Sequence, residues 1–179
     1  MGPKLPPARF VLKSFMAESG LEPRLLPHLR VTNAVEGKVD FELDITKDHT
    51  NRLKILHGGT IASMVDLGGS LAVASKGLFS TGVSTDLNVT YLSGGGKIGD
   101  KIQATATCDK SRCQYKTSID YRLTGNEVGM TLAYTSVVFK NSKGELAARG
   151  SHTKYVSKAW QAQSEAFTLP EDADIAAEE

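Results

Sequence analysis

Cysteine is scarce in this chain of 179 residues, which has two, Cys108 and Cys113. Two cysteines build no disulfide framework and show no metal-ligand spacing, so the chain suits a reducing compartment. The four histidines are scattered along the sequence and complete no Cys/His pattern either. They are His28, His49, His57 and His152. We therefore expect no metal site.

An excess of charge of one sign is also missing, because 21 Lys and Arg face 20 Asp and Glu, a formal net charge of +1. This balance argues against nucleic acid as a partner, since phosphate binding needs a clear local excess of basic residues. The charge is nevertheless uneven. Six of the acids lie in residues 165–179, which contain no Lys or Arg, so residues 1–164 have 21 basic against 14 acidic residues.

Long hydrophobic runs are absent as well. The most apolar stretch, Ile61 to Ser75, has 15 residues with one charge, too few to span a membrane as a helix. The first residues contain Lys4, Arg9 and Lys13 but no uninterrupted apolar segment, which argues against a secretory signal. We expect no membrane span and a cytoplasmic or mitochondrial location.

Periodicity predicts an α+β fold. Apolar residues at Val39, Phe41, Leu43 and Ile45 alternate with acids, as in a strand with one wet face. Gly37 is expected to form the turn after a preceding strand. Residues 8–19 are expected to form a short amphipathic helix. The apolar run from Ile61 to Ser75 is expected to form a helix that is buried on nearly all sides, and four long strands follow it. These strands are expected at 82–93, 98–110, 130–140 and 145–156. A curved antiparallel sheet wrapped around a central helix satisfies this order.

The single charge in the predicted central helix is Asp66. A buried, unpaired carboxylate is costly, so Asp66 must find hydrogen-bond donors, become protonated or face a cleft. It either bonds a neighbouring strand or serves as a general base or nucleophile. Both interpretations remain open at this point.

His57, Gly58 and Gly59 stand at the start of this helix, where backbone N–H groups lack intrahelical partners and lie at the positive end of the helix dipole. Such groups suit a developing oxyanion. Gly58 and Asp66 are eight residues apart, about 12 Å along a helix, too far to act on one carbonyl within one chain. If both are catalytic, the site combines two subunits, and we expect an obligate oligomer.

Several stretches together resemble the hotdog-fold acyl-CoA thioesterases over about residues 28–156. They are His49 to Asn51, Leu56 to Gly59, Asp66, Gly82 to Ser93 and Gly150 to Lys154. The branch they resemble most contains thioesterase superfamily member 2 and the bacterial phenylacetic-acid-degradation thioesterases. The resemblance implies hydrolysis of a fatty or aryl acyl-CoA by a homodimer or homotetramer, with coenzyme A as part of the substrate and no cofactor. The basic excess of residues 1–164 suits that anionic coenzyme.

The resemblance also implies roles for residues at matching positions. Asp66 would activate water, the Gly58 N–H would polarise the thioester carbonyl, and Asn51 and His57 would orient the nucleophile and the helix start. Ser84 would hydrogen-bond Asp66 or the water. The coenzyme would lie along a second set of residues, of which the last two match an edge of its site. This set consists of Tyr91, Leu92, Ser93, Gly94, Gly95, Gly96, His152 and Lys154.

The matched region suggests three segments: an N-terminal extension at 1–27, a hotdog domain at 28–156 and an acidic C-terminal tail at 157–179. Residues 111–127 match nothing in the family, and the resemblance implies that the turn they interrupt lies beside the coenzyme nucleotide. Two hypotheses explain them: they form an extended hairpin arm, or they are the translation of an intron that was not removed from the gene model. Sequencing the transcript distinguishes the two.

Two alternative functions remain. The hydratase branch of the same fold uses an Asp-x4-His pattern, a spacing that Asp44 and His49 have. The rest of that branch's features are missing here. A non-catalytic acyl-binding or scaffold protein would keep the fold and lose the activity. The presence together of Asn51, His57, Gly58, Asp66 and Ser84 argues against that reading, and the insertion argues for it.

Overall fold

A six-stranded antiparallel sheet packs around one long helix in this computed structural model, which describes residues 8–110 and 131–162. The helices are α1 (Ala8–Glu18), α2 (Glu22–Leu25), α3 (Gly58–Ala74) and α4 (Ser157–Ala162). The strands are β1 (Arg30–Val35), β2 (Lys38–Asp44), β3 (Val83–Tyr91), β4 (Lys101–Lys110), β5 (Leu132–Lys140) and β6 (Leu146–Tyr155). The sequence-based α+β interpretation, with a central helix against an antiparallel sheet, is confirmed, and it is the hotdog arrangement that the resemblance implied.

The strand order is β1-β2-β4-β5-β6-β3, and every neighbouring pair is antiparallel. The predicted turn at Gly37 is confirmed: this residue, at φ 76°, connects β1 to β2. Gly144, at φ 78°, lies in the turn from β5 to β6. Glycine suits both positions because other residues rarely adopt positive φ. In the strand order given above, β3 lies at one edge of the sheet and pairs with β6.

The central helix α3 begins at Gly58, as the predicted helix start at His57, Gly58 and Gly59 indicated. His57 is its N-cap, and the His57 Nδ1 atom accepts a hydrogen bond from the Gly59 N–H at 2.8 Å. This cap satisfies a donor that the first helical turn leaves unpaired, which lets the helix start at Gly58. Most of α3 is buried against the sheet, as predicted, and Gly150 of β6 allows Val65 to approach its backbone closely.

The N-terminal helix α1 belongs to the same core. Ala8, Val11 and Leu12 are buried, and the Phe10 ring packs against Phe79 at 5.6 Å between centroids. The predicted helix at 8–19 is confirmed. The division into 1–27, 28–156 and 157–179 stays a prediction, and the insertion at 111–127 and the tail from Glu165 lie outside the described residues.

Among the described residues, no helix is long and apolar enough to cross a membrane.

Candidate active site

Asp66 meets Ser84 where the middle of α3 faces the start of β3. The Ser84 hydroxyl donates a hydrogen bond to Asp66 Oδ1 at 3.0 Å. The Asp66 side chain is 43% exposed and faces a cavity of about 320 Å³ that Ala62, Ser63 and Leu87 also line. Of the three outcomes open to this carboxylate, the structure shows a hydrogen-bond donor and an open cleft.

His152 of β6 lies beneath this pair. Its Nε2 atom is 3.1 Å from Asp66 Oδ1 and 2.9 Å from Ser84 Oγ, and the side chain is 0% exposed. Burial lowers the pKa of His152 from its ordinary value of 6.5, and the positive charge of Lys154 lowers it further, while Asp66 opposes both. A lowered pKa keeps the imidazole neutral at pH 7, so we assign its single N–H to Nε2, facing the two oxygen atoms.

A glycine makes room for the His152 ring. A Cβ atom at Gly69 of α3 would lie 2.6 Å from His152 Nδ1 and 2.6 Å from Thr135 Oγ1. The hydroxyl group of Thr135, on β5, donates a hydrogen bond to the His152 carbonyl oxygen at 2.8 Å. His152 Nδ1 itself is buried and has no hydrogen-bond partner within the described parts of the chain. Helix and sheet together therefore fix the imidazole in one place.

The start of α3 presents a backbone donor. The Gly59 N–H donates a hydrogen bond to His57 Nδ1, and the Thr60 N–H donates one to the His57 carbonyl oxygen at 3.0 Å. Gly58, the first residue of the helix, has no carbonyl one turn earlier to accept its own N–H. The Tyr91 hydroxyl of β3 donates to the Gly58 carbonyl at 2.9 Å, which holds this turn against the sheet. The Gly58 N–H can therefore polarise a carbonyl group of a ligand.

Asn51 organises the loop before this helix. Its Oδ1 atom accepts hydrogen bonds from the backbone of Leu53 at 2.9 Å and Ile55 at 3.4 Å. The predicted catalytic residues thus form two groups, one around Asp66 and Ser84 and one around Asn51, His57 and Gly58. Eight residues of α3 separate the groups, about 12 Å, so the folded chain does not bring them together.

The predicted coenzyme segment connects β3 to the helix-start loop. The N–H groups of Leu92 and Ser93 donate to the Ala147 carbonyl, and the Leu56 N–H donates to the Gly96 carbonyl at 2.8 Å. A Cβ atom at Gly95 would lie 2.7 Å from the Leu56 side chain, whereas Gly94 has no neighbouring atom within 4 Å. Residues 91–94 are exposed, whereas Gly95 is buried and Gly96 is half-buried, so this segment after β3 is held at both ends. Its contact with coenzyme stays a prediction.

His152 and Lys154, which the resemblance places at an edge of the coenzyme site, have their side chains inside this chain. Their side chains are 0% and 3% exposed, because alternation along β6 turns both toward α3. Burial lowers the pKa of Lys154, and the negative charge of Asp66 opposes this effect. Their predicted contact with coenzyme stays a prediction. Alternation along the strand could have predicted that both side chains point inward. It could not have predicted that they lie near Asp66.

The alternative pair Asp44 and His49 is not assembled. The Arg30 guanidinium hydrogen-bonds Asp44 at 2.8 Å and lowers the pKa of that carboxyl. His49 is buried, and its Nδ1 atom accepts the Thr46 N–H at 3.0 Å. Both side chains therefore bond other partners, and the geometry does not favour the hydratase hypothesis. Across residues 8–110 and 131–162, no group of three or more His, Cys, Asp or Glu is placed to hold a metal ion.

Comparisons with known proteins agree with this geometry. Residues 53–122 match the Thioesterase superfamily. A putative esterase of Schizosaccharomyces pombe is 38% identical over 92% of this chain and 91% of its own length. Human acyl-coenzyme A thioesterase 13 is 34% identical over 83% of this chain and 93% of its own length. The crystal structure of zebra fish thioesterase superfamily member 2 superposes with a TM-score of 0.69, covering 87% of this chain and all of that one, at 31% identity. With close relatives along most of its length and the same fold, this chain belongs to the thioesterase superfamily.

Proposed function

We propose that this protein is an acyl-CoA thioesterase that hydrolyses a fatty or aryl acyl-CoA to the free acid and coenzyme A. The observation that carries the proposal is the Asp66 carboxylate, held by Ser84 and His152 and open to a cavity. A carboxylate held in this way can accept a proton from water within hydrogen-bond reach. The relatives named as acyl-coenzyme A thioesterases support the substrate class.

The proposed reaction assigns one step to each group. Asp66 takes a proton from a water molecule, whose oxygen attacks the thioester carbonyl carbon, while Ser84 orients the water or the carboxylate. The Gly58 N–H stabilises the negative charge that develops on the carbonyl oxygen. When the carbon–sulfur bond breaks, the proton on Asp66 passes to the departing thiolate. Asn51 and His57 hold the helix start that presents the Gly58 N–H.

The reaction proposed here needs two copies of the chain. Gly58 of one subunit and Asp66 of another would meet at a two-fold interface, since about 12 Å separates them within one helix. β3 suits such an interface because it is a nine-residue edge strand whose Val83, Leu87 and Tyr91 side chains are exposed. We propose a homodimer or homotetramer. A monomer with full activity in size-exclusion chromatography would contradict this arrangement.

Coenzyme A enters as part of the substrate, and the proposed chemistry uses no separate cofactor. The segment Tyr91–Gly96, beside the start of α3, is the candidate surface for the pantetheine arm and nucleotide. The basic excess of residues 1–164 suits this anionic group. With two cysteines in 179 residues, the protein also suits a reducing compartment, the cytoplasm or the mitochondrion.

The test is thiol release from medium-chain and long-chain acyl-CoAs, followed with a thiol-detecting reagent. We expect Asp66→Ala to lower kcat by about 10²–10⁴-fold, the range typical of a general base. Asp48→Asn, which changes an exposed carboxylate in the short 3₁₀ helix Lys47–His49, is the matched control and should keep the wild-type rate. Unchanged thiol release by Asp66→Ala would refute the assigned base. Hydration of a 2-enoyl-CoA without thiol release would favour the hydratase alternative.

A further inference from the structure

The cavity beside Asp66 has a wall that comes from the N-terminal segment. Leu21, Glu22 and Leu26 face the α3 residues Ala62 and Asp66 across this cavity. We propose that this wall receives the acyl group of the thioester and that Leu21 determines which acyl chains the protein accepts. The proposal rests on the thioesterase function proposed above and adds the part of the site that selects the substrate.

The wall is anchored by the fold. Leu26 is 1% exposed and belongs to the hydrophobic core. The Leu25 N–H donates to the Leu21 carbonyl at 2.9 Å, the Leu26 N–H donates to the Glu22 carbonyl at 2.7 Å, and the Ser19 hydroxyl donates to the Glu22 carboxylate. Because this turn is held from both sides, the Leu21 side chain has a defined position at the cavity.

Leu21 itself lacks cover from the protein. Its side chain is 57% exposed, although it is a large apolar group beside a cavity. Burying such a group against an apolar ligand is favourable by roughly 25 cal/mol per Å² of apolar surface. Ala62 and Leu87 also line this cavity, whereas Leu26 is buried in the core and offers it little surface. An acyl chain that enters the cavity would contact Leu21, Ala62 and Leu87.

Position and charge identify which end of the substrate lies here. A water molecule activated by Asp66 must attack the carbonyl carbon from about 3–3.5 Å, so the acyl chain begins next to Asp66. The described residues that line the cavity include two carboxylates, Glu22 and Asp66, and no Lys or Arg. The phosphate groups of coenzyme A would be repelled there, whereas a neutral hydrocarbon chain would not. The volume of about 320 Å³ lies at the small end of the range for ligand sites.

The experiment measures kcat/KM for saturated acyl-CoAs from acetyl to palmitoyl in wild type, Leu21→Trp and Leu21→Ser. Leu21→Trp reduces the space and Leu21→Ser removes the apolar contact. For both variants we expect long-chain kcat/KM to fall at least about tenfold, with acetyl-CoA within about twofold of wild type. The matched controls are Val35→Trp and Val35→Ser, at an exposed apolar residue on β1 outside the cavity, which should keep the wild-type profile.

The outcomes separate the two proposals. If wild type hydrolyses acyl-CoAs and both Leu21 variants keep its chain-length profile, the acyl wall is wrong and the thioesterase function stands. An equal loss at every chain length, or a change in oligomer mass with the profile unchanged, would also overturn the acyl wall, the latter in favour of a subunit contact. A wild-type protein that releases no thiol from any acyl-CoA would overturn both. Because Leu21 is exposed, its substitutions should leave the melting temperature unchanged.

Discussion

The Nε2 atom of His152 lies 3.1 Å from Oδ1 of Asp66. The first side chain is fully buried and the second is 43% exposed, so a fixed imidazole supports a carboxylate that faces the cavity. Ser84 Oγ completes the group, 3.0 Å from the carboxylate and 2.9 Å from the imidazole. We therefore expect His152 to act through Asp66 and Ser84 as a positioning residue in the proposed reaction.

Removing the imidazole should impair the reaction without removing the base. A hydrogen bond to a charged group contributes about 1.5–3 kcal/mol, so we expect His152→Ala to lower kcat by about 10- to 150-fold. His152→Gln keeps an N–H donor of similar reach and should recover part of the loss. Steady-state kinetics across pH 5–9 would check this. Equal activity of the alanine variant and wild type, both folded by circular dichroism, would contradict the positioning role.

The stability of the protein should fall in mild acid because of the same histidine. The folded-state pKa of His152 is below its ordinary 6.5, so below about pH 6.5 the unfolded chain takes up a proton that the folded chain does not. The free energy of unfolding should therefore decrease as pH falls from 7 through 6.5 toward the folded-state pKa, by at most about 1.4 kcal/mol per pH unit. Urea denaturation at pH 7.5, 6.5 and 5.5 measures it.

His152→Gln is the control for this pH dependence, since it keeps a polar side chain and removes the titration. We expect a shallower decrease in the free energy of unfolding for the variant than for wild type. Superimposable pH dependences in the two proteins would show that His152 is not the group responsible.

We expect Gly69→Ala to lower the thermal stability of the protein. The alanine Cβ atom would lie 2.6 Å from both His152 Nδ1 and Thr135 Oγ1, two atoms that their surroundings hold in place. Overpacking of this kind destabilises by about 1–3 kcal/mol, and displacement of the imidazole should lower kcat as well. Gly20→Ala is the control, because a Cβ atom there would have no neighbour within 4 Å. Thermal melts that are equal for the two variants would contradict the close packing.

The elements of the fold were predictable because local patterns determine them. Alternating apolar residues from Val39 to Ile45 predicted β2, and the apolar run after Gly59 predicted α3. Differences were confined to element ends. β3 was expected at 82–93 and is Val83–Tyr91, and β4 was expected at 98–110 and is Lys101–Lys110, because hydrophobic periodicity does not mark where strand pairing stops.

The sequence by itself determined that Asp66 is unusual, since it is the one charge in an apolar helix, and that Gly58 is too far along that helix to join it. The tertiary structure decided what surrounds Asp66. His152 is 86 positions later and Leu21 is 45 positions earlier. Only the packing of α3 on β6 and of the N-terminal segment near α3 brings them to the same carboxylate. No local period encodes such distances, because they depend on how strands and helices pack after they form.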